Sequence, residues 1–173
     1  MKKIKLRHSL IIIVICFIIL IISISFSGLL NSIRSNYPEV TASIELRDVT
    51  EEEYDANSLA EYSIQNLKIL YADIRVKNSK HCKKRDIQIP ELNVIDGFDR
   101  VRSIKGGSSE TNNLYKDNNA QAIKFVIFDS TGLTINDIKR IYQDEFIAVN
   151  ITTRKGKDIS RSYNVGEMIK VRQ

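Results

Sequence analysis

The chain has 173 residues, with 26 lysines and arginines against 21 aspartates and glutamates. Residues 1–30 contain four of the basic side chains and no acidic one, so the remaining 143 residues carry 22 basic and 21 acidic groups. This near balance lacks the basic footprint of a nucleic-acid-binding domain, and 143 residues are enough for one domain with a hydrophobic core.

An uncharged apolar stretch occupies residues 10–30. As a helix rising about 1.5 Å per residue it would span about 31 Å, enough to cross the hydrocarbon core of a bilayer. Only Arg34 is basic in the 15 residues that follow, whereas four basic residues precede the stretch: Lys2, Lys3, Lys5 and Arg7. This asymmetry predicts a cytoplasmic N-terminus and a chain that continues outside the cell membrane.

The sequence therefore predicts four segments: a cytoplasmic basic tail (1–9), a transmembrane signal-anchor helix (10–30), a linker (31–39) and an extracytoplasmic β-rich domain (40–173). A cleaved signal peptide, releasing a secreted protein, is the alternative. Small residues at Ser25 and Ser27 before Gly28 resemble a cleavage site. We favour the retained anchor because the apolar run is longer than a signal peptide needs.

The domain opens with residues 40–47, where apolar and polar side chains alternate as in a half-buried strand. The acidic segment 50–58 is predicted to be a loop, or one helical turn capped by Thr50 with Glu53 three residues later. A strong strand pattern then covers residues 62–78.

Within that strand pattern Leu67 and Ile69 break the alternation, which predicts a bulge or bend. Residues 78–85 form a basic connection. Residues 87–94 predict an edge strand, since Pro90 interrupts it.

Asp96-Gly97 is a hairpin dipeptide, which predicts a return strand over residues 98–104. Residues 105–119 have no apolar period and are expected to be a long loop. A strand over residues 123–128 is apolar on both faces and is expected to lie at the centre of a sheet.

A short helix is predicted over residues 134–143, with Thr134 and Asp137 as its capping box. Apolar spacing and a turn then predict a final hairpin, with strands 146–154 and 159–165 joined by residues 155–157. The pattern as a whole favours a mostly β fold. We expect an N-terminal transmembrane helix followed by an antiparallel immunoglobulin-like β-sandwich with one short helix, with an α+β fold as the alternative.

Residues with catalytic or metal-binding chemistry are few. Cys16 lies in the apolar stretch, so Cys82 has no cysteine partner in the exported part, and neighbouring His81 would point to the opposite face of a strand. An oxygen-rich segment, 51–57, lacks the alternation with glycine that a calcium loop needs. Gly106-Gly107 lacks the lysine and helix of a phosphate loop. We therefore expect no catalytic site, no cofactor and no metal.

The densest basic group outside the N-terminal segment is Lys80, Lys83, Lys84 and Arg85. It is the candidate contact for an anionic surface, whether lipid headgroups, wall polymers or the acidic face of a partner protein. A solvated loop is the plainer interpretation, because the charge of the domain is balanced and no aromatic residue lies among these side chains.

The C-terminal third resembles the ectodomains of small membrane-anchored bacterial proteins of uncharacterised function. The likeness rests on a strand, a helix opened by Leu133-Thr134, and a hairpin that ends at Gly166-Glu167. It implies a sandwich-type exported domain and no particular activity.

These features favour a membrane-anchored extracytoplasmic binding module that is not an enzyme, with a protein or envelope partner and an unknown ligand. The alternative is a structural subunit of a membrane-bound envelope assembly of the secretion, conjugation or division type. A carboxylate-dependent hydrolase is a further hypothesis, which would need acidic side chains brought together in a cleft.

Overall fold

The computed structural model describes residues 37–77, 82–112 and 119–172. Eight strands lie in these ranges: β1 (Glu39–Asp48), β2 (Leu67–Lys77), β3 (Cys82–Gln88), β4 (Ser103–Asn112), β5 (Ala120–Asp129), β6 (Phe146–Thr153), β7 (Asp158–Asn164) and β8 (Ile169–Val171). The helices there are α1 (Glu51–Ala56), α2 (Ile135–Ile141), α3 (Val165–Met168) and two 3-10 helices, Ile64–Asn66 and Leu92–Gly97. The prediction of a mostly β fold is confirmed.

The predicted membrane helix, residues 10–30, lies outside the described residues. Among the helices that the structure does describe, none is both long and apolar enough to cross a membrane.

Two sheets share one hydrophobic core. The first has five strands in the order β4-β5-β2-β1-β8, and the second has three in the order β3-β6-β7. All pairings are antiparallel except that of β8 with β1. Ile44 and Ile74 of the first sheet pack in the same buried cluster as Ile147 and Val149 of the second. The inner faces of the two sheets therefore cover each other.

Strand β2 is buried on both faces at its start. Leu70 belongs to the shared core, whereas Leu67 and Ile69 face the other side and pack in a second cluster with Leu59. The pairing of β2 with β1 and β5 runs without a shift in register. The predicted bulge is therefore wrong, since the break in alternation marks a second apolar layer beneath the connection from β1 to β2.

Helix α1 covers that layer, and the helical alternative for the acidic segment is confirmed. The side chain of Thr50 accepts a hydrogen bond from the backbone N–H of Glu53, and the Glu53 carboxylate accepts one from the backbone N–H of Thr50. The same carboxylate accepts hydrogen bonds from both terminal nitrogens of Arg47, at 2.6 and 2.7 Å. One glutamate thus joins α1 to β1.

The segment between β3 and β5 differs from the sequence predictions. Residues 92–94 lie in a 3-10 helix, Asp96-Gly97 is the end of that helix and not a hairpin turn, and β4 occupies residues 103–112 where a long loop was expected. Leu92 and Ile95 are buried because a helical turn places residues three apart on one face. Strand β4 lacks apolar alternation because it is an edge strand held by backbone hydrogen bonds to β5.

The predicted helix after β5 is confirmed as α2, with the capping box of Thr134 and Asp137 in place. Its buried side chains are Ile138 and the adjoining Tyr142, whereas Ile135 is 46% exposed. The hydroxyl of Tyr142 donates a hydrogen bond to the backbone carbonyl of Leu92, which ties α2 to the 3-10 helix. Burial raises the pKa of Tyr142, so this hydroxyl keeps its proton.

We expect Tyr142→Phe to lower the free energy of unfolding by about 1–2 kcal/mol, because the Leu92 carbonyl loses its buried donor. Tyr163→Phe is the matched control: Tyr163 is only half-buried on β7, so the loss should stay below about 0.5 kcal/mol. Denaturant unfolding followed by circular dichroism measures both. Equal losses would contradict a special role for Tyr142.

Acid should weaken the ion pair between Glu53 of α1 and Arg47 of β1. Hydrogen bonds from Arg47 hold the pKa of Glu53 at about 2, below the value of about 4.3 in an unfolded chain. The stabilisation is therefore complete above about pH 5 and is lost as the pH falls towards 2. We expect it to reach about 1–2 kcal/mol, because both side chains are partly exposed to solvent.

The test is the unfolding free energy measured between pH 5 and pH 2. Glu53→Gln should flatten this pH dependence relative to the unchanged chain, whereas Glu52→Gln, an exposed position on the same turn, should leave it in place. If the unfolding free energy of Glu53→Gln depended on pH as steeply as that of the unchanged chain, the pair of Arg47 and Glu53 would contribute nothing to stability.

Candidate functional site

A groove runs along one side of the two sheets, between the end of β3 with its following connection and strand β4. We call it the edge groove. It consists of two cavities of about 410 and 300 Å³. Ile87–Ile89 and Glu91–Asn93 line one side, and Ser103–Glu110 line the other. Ser108 and Lys124 line both cavities, so the two spaces adjoin.

The floor of the edge groove is the inner face of β4. Gly106 lies opposite Val126 and Glu110 opposite Ala122, and both β5 residues belong to the shared core. Side chains on directly opposed residues of a sheet share a face, so Gly106, Ser108 and Glu110 all face inward. Glycine and serine fill little volume there, which leaves the inner face of this edge strand open.

Lys124 puts a charge on the same inward face. It lies opposite Ser108, and its ammonium is 2.7 Å from a carboxylate oxygen of Glu91 and 3.4 Å from the carbonyl oxygen of Ile89. The Lys124 side chain is 19% exposed, whereas that of Glu91 is 79% exposed. Lys124 therefore supplies a positive charge and a hydrogen-bond donor inside the groove.

The outer face of β4 is closed by an aromatic ring. Gly107 lies opposite Phe125, and a Cβ at Gly107 would come within 2.6 Å of a carbon of that ring. The ring thus occupies the space where a side chain would stand. The ring covers the outer face of β4 at Gly107, whereas Ser109 and Thr111 further along that face are exposed.

Arg102 lies directly before Ser103, the first residue of β4 to line the groove, and is 3% exposed. Its guanidinium donates two hydrogen bonds to Asp99, at 2.6 and 2.7 Å, and two to the backbone carbonyls of Asp129 and Thr131, at 2.9 and 3.0 Å. The hydrogen bonds from Arg102 lower the pKa of Asp99, so that carboxylate stays charged. Arg102 thereby joins the connection before β4 to the connection after β5.

Asp96 also holds the start of β4. Its carboxylate accepts hydrogen bonds from the backbone N–H groups of Arg102, at 2.7 Å, and Ser103, at 2.6 Å. Burial acts to raise the pKa of Asp96, but the hydrogen bonds from Ser103 and Arg102 outweigh it, and the pKa is lowered. The aspartate that suggested a hairpin from sequence instead caps the first residues of β4.

The structure divides the basic residues that the sequence analysis grouped together. Lys83 and Lys84 are exposed at the start of β3, and Lys80 lies outside the described residues. Arg85 is only 4% exposed, because it shares the inner face of β3 with Ile87. Arg85 therefore cannot present its charge to an outside surface, and the predicted connection over 78–85 is a strand from Cys82 onward.

Exposed basic residues from other elements lie at the same end as Lys83 and Lys84. Cys82 is opposite Thr153, so the start of β3 adjoins the turn that contains Arg154 and Lys155. Sequence order separates these residues by about 70 positions, and only the pairing of β3 with β6 brings them together. Nothing in the local sequence pattern indicates this grouping.

The remaining candidate for reactive chemistry in the described residues is the thiol of Cys82. Burial raises the pKa of the Cys82 thiol, which disfavours the reactive thiolate. In the described parts of the chain no group of three or more His, Cys, Asp or Glu side chains is placed to hold a metal ion. His81 lies outside those parts.

The chain matches no family model, and no curated protein matches it in sequence. The resemblance of its C-terminal third to small bacterial ectodomains stays a prediction.

We expect Arg102→Ala to lower the free energy of unfolding by about 2–3 kcal/mol, because two buried carbonyls and a carboxylate lose their donors. Arg100→Ala is the matched control: Arg100 also pairs with an aspartate, Asp129, but is 47% exposed, so its removal should cost less than about 1 kcal/mol. Denaturant titration of both variants checks this. Similar losses of unfolding free energy would contradict the role of Arg102 in holding the connections before β4 and after β5 together.

Proposed function

We propose that this chain is a single-pass membrane protein whose β-rich domain lies outside the cell and binds an extended segment of a partner protein in the edge groove. It acts by binding and not by catalysis. Residues 10–30 anchor it, and residues 1–9 remain in the cytoplasm. The support for the anchor is the uncharged apolar length and the excess of basic residues before it.

We further propose that the domain is an immunoglobulin-like sandwich. Lettered A to G in chain order, strands β1 to β7 give one sheet in the order D-E-B-A and another in the order C-F-G. Constant-type immunoglobulin domains divide their seven strands between two sheets in the same way. Strand β8 is an addition that pairs parallel with β1.

The edge groove is the observation on which the binding proposal depends. In the described residues β3 pairs only with β6, so its other edge is free, and the groove lies beside that edge. Variable-type immunoglobulin domains carry further strands at this position, next to strand C. A partner segment that added as a strand there would pair with β3 and cover the open inner face of β4.

Photo-crosslinking from within the groove tests this proposal. A photoreactive phenylalanine analogue replaces Ser108, which lines both cavities, or Thr111, which is exposed on the outer face of the same strand. The full-length chain is expressed in its native cells and irradiated there. We expect a discrete covalent adduct from position 108 and none from position 111.

A second variant shows whether the adduct depends on the groove. Lys124→Glu reverses the inward charge and should reduce the adduct from position 108 several-fold, whereas Lys68→Glu, a reversal on the same sheet outside the groove, should leave it unchanged. Equal adducts from positions 108 and 111, or none from either, would contradict the proposal.

A further inference from the structure

We propose that the end of the domain where β1 begins rests on anionic lipid headgroups, through a basic end formed by Lys77, Lys83, Lys84, Arg154 and Lys155. This inference rests on the proposed function, because it needs the domain to be tethered beside a bilayer. It concerns a surface separate from the edge groove, and it fixes how the domain stands on the membrane.

Strand pairing places the five residues at one end. Glu39, the first residue of β1, lies opposite Lys77, the last residue of β2. Only four residues separate Lys77 from β3, so β3 starts at this end with Lys83 and Lys84. The pairing of β3 with β6 then brings the turn after Thr153 to the same end.

The side chains at this end are accessible and mostly of one sign. Lys77, Lys83, Lys84, Arg154 and Lys155 are all exposed. Among the described residues at this end, the acidic neighbours are Glu39, opposite Lys77, and Asp158, which accepts a hydrogen bond from Thr152. Lys157 adds a further positive charge in the same turn. The positive charges therefore outnumber the negative ones.

The opposite end of the domain carries an excess of negative charge. The connection from β1 to β2, residues 49–66, contains five acidic residues and no basic one: Glu51, Glu52, Glu53, Asp55 and Glu61. The connections before β4 and after β5 reach the same end, where the carboxylates of Asp99 and Asp129 pair with Arg102 and Arg100, so the acidic excess comes from residues 49–66. An anionic bilayer would attract one end of the domain and repel the other.

The length of the tether brings the basic end within reach of the bilayer. Residues 31–38 separate the apolar stretch from β1, and eight extended residues span at most about 26–29 Å. The attraction of lysine and arginine to anionic lipids falls off within a Debye length, about 8–10 Å, and a tether of this length permits that approach. Because β1 starts opposite Lys77, the chain enters the domain at the basic end.

The test uses the full-length chain in lipid nanodiscs, one set of neutral phosphatidylcholine and one with about a third anionic phosphatidylglycerol. Lysines are acylated with a small amine-reactive reagent and counted by mass spectrometry. We expect Lys77, Lys83, Lys84 and Lys155 to react at least about threefold more slowly in the anionic discs. Lys139, on α2 at the other end, should react equally in both.

Charge reversal supplies the matched variants. Lys84→Glu with Lys155→Glu should abolish the difference between the two lipids at Lys77 and Lys83, whereas Lys139→Glu should not change it. Equal lysine reactivity in neutral and anionic discs would overturn the inference. The inference would also be overturned if soluble polyphosphate, added to the chain in neutral discs, slowed the reaction of these lysines as much as anionic lipid does. The basic end would then bind free polyanions and not the lipid surface.

Failure of the underlying proposal has a different result. If alkaline carbonate released the chain from native membranes, or if the mature mass lacked residues 1–30, the anchor itself would be wrong. If the chain stayed in the membrane but the footprint did not depend on lipid charge, only the orientation inferred here would be wrong.

Discussion

The edge groove follows from an unequal pair of sheets. Five strands face three, and the shared core forms where the two inner faces overlap. Strand β4 lies at the margin of the larger sheet, and its inward residues, Gly106 and Ser108, are too small to close the space beside β3. A sheet margin that is neither covered nor paired is a surface prepared for another strand, and it also risks unwanted association. The inward ammonium of Lys124, on the neighbouring strand β5, adds a positive charge to this space and pairs with Glu91.

The groove can act as a site only if its walls are rigid, and polar contacts provide that rigidity. Arg102 joins the connections before β4 and after β5, and the Tyr142 hydroxyl binds the carbonyl of Leu92 behind the wall. Both side chains are almost fully buried, so each unmet partner would carry the full cost of desolvation. The apolar core sets which sheets face each other, whereas these contacts set where the irregular connections lie.

Alternation and capping predict β1, β6 and α2, because each buries one regular set of apolar side chains. Strand β5 shows as an apolar run on both faces, and β7 follows from the turn that joins it to β6. Residues 88–112 differ from what their local sequence pattern predicts. Strand β4 has no apolar face, since its conformation depends on hydrogen bonds to β5 and on the Phe125 ring over Gly107, neither of which shows in the local sequence. Arg85 was expected in a basic connection, whereas it lies in β3, where a bulge between Cys82 and Lys84 places it on the inner face with Ile87. Lys83 and Lys84 were predictable as basic residues, but their grouping with Arg154 depends on the pairing of distant strands.

A partner strand beside β3 would satisfy backbone groups that otherwise exchange with water, so hydrogen exchange tests the central claim most directly. The full-length chain is labelled with deuterium in its native membranes and after purification, and the amides of residues 83–88 and 103–110 are compared with those of β7. The account predicts slower exchange along β3 in native membranes, with β7 unchanged. Identical exchange along β3 in the two preparations would contradict it.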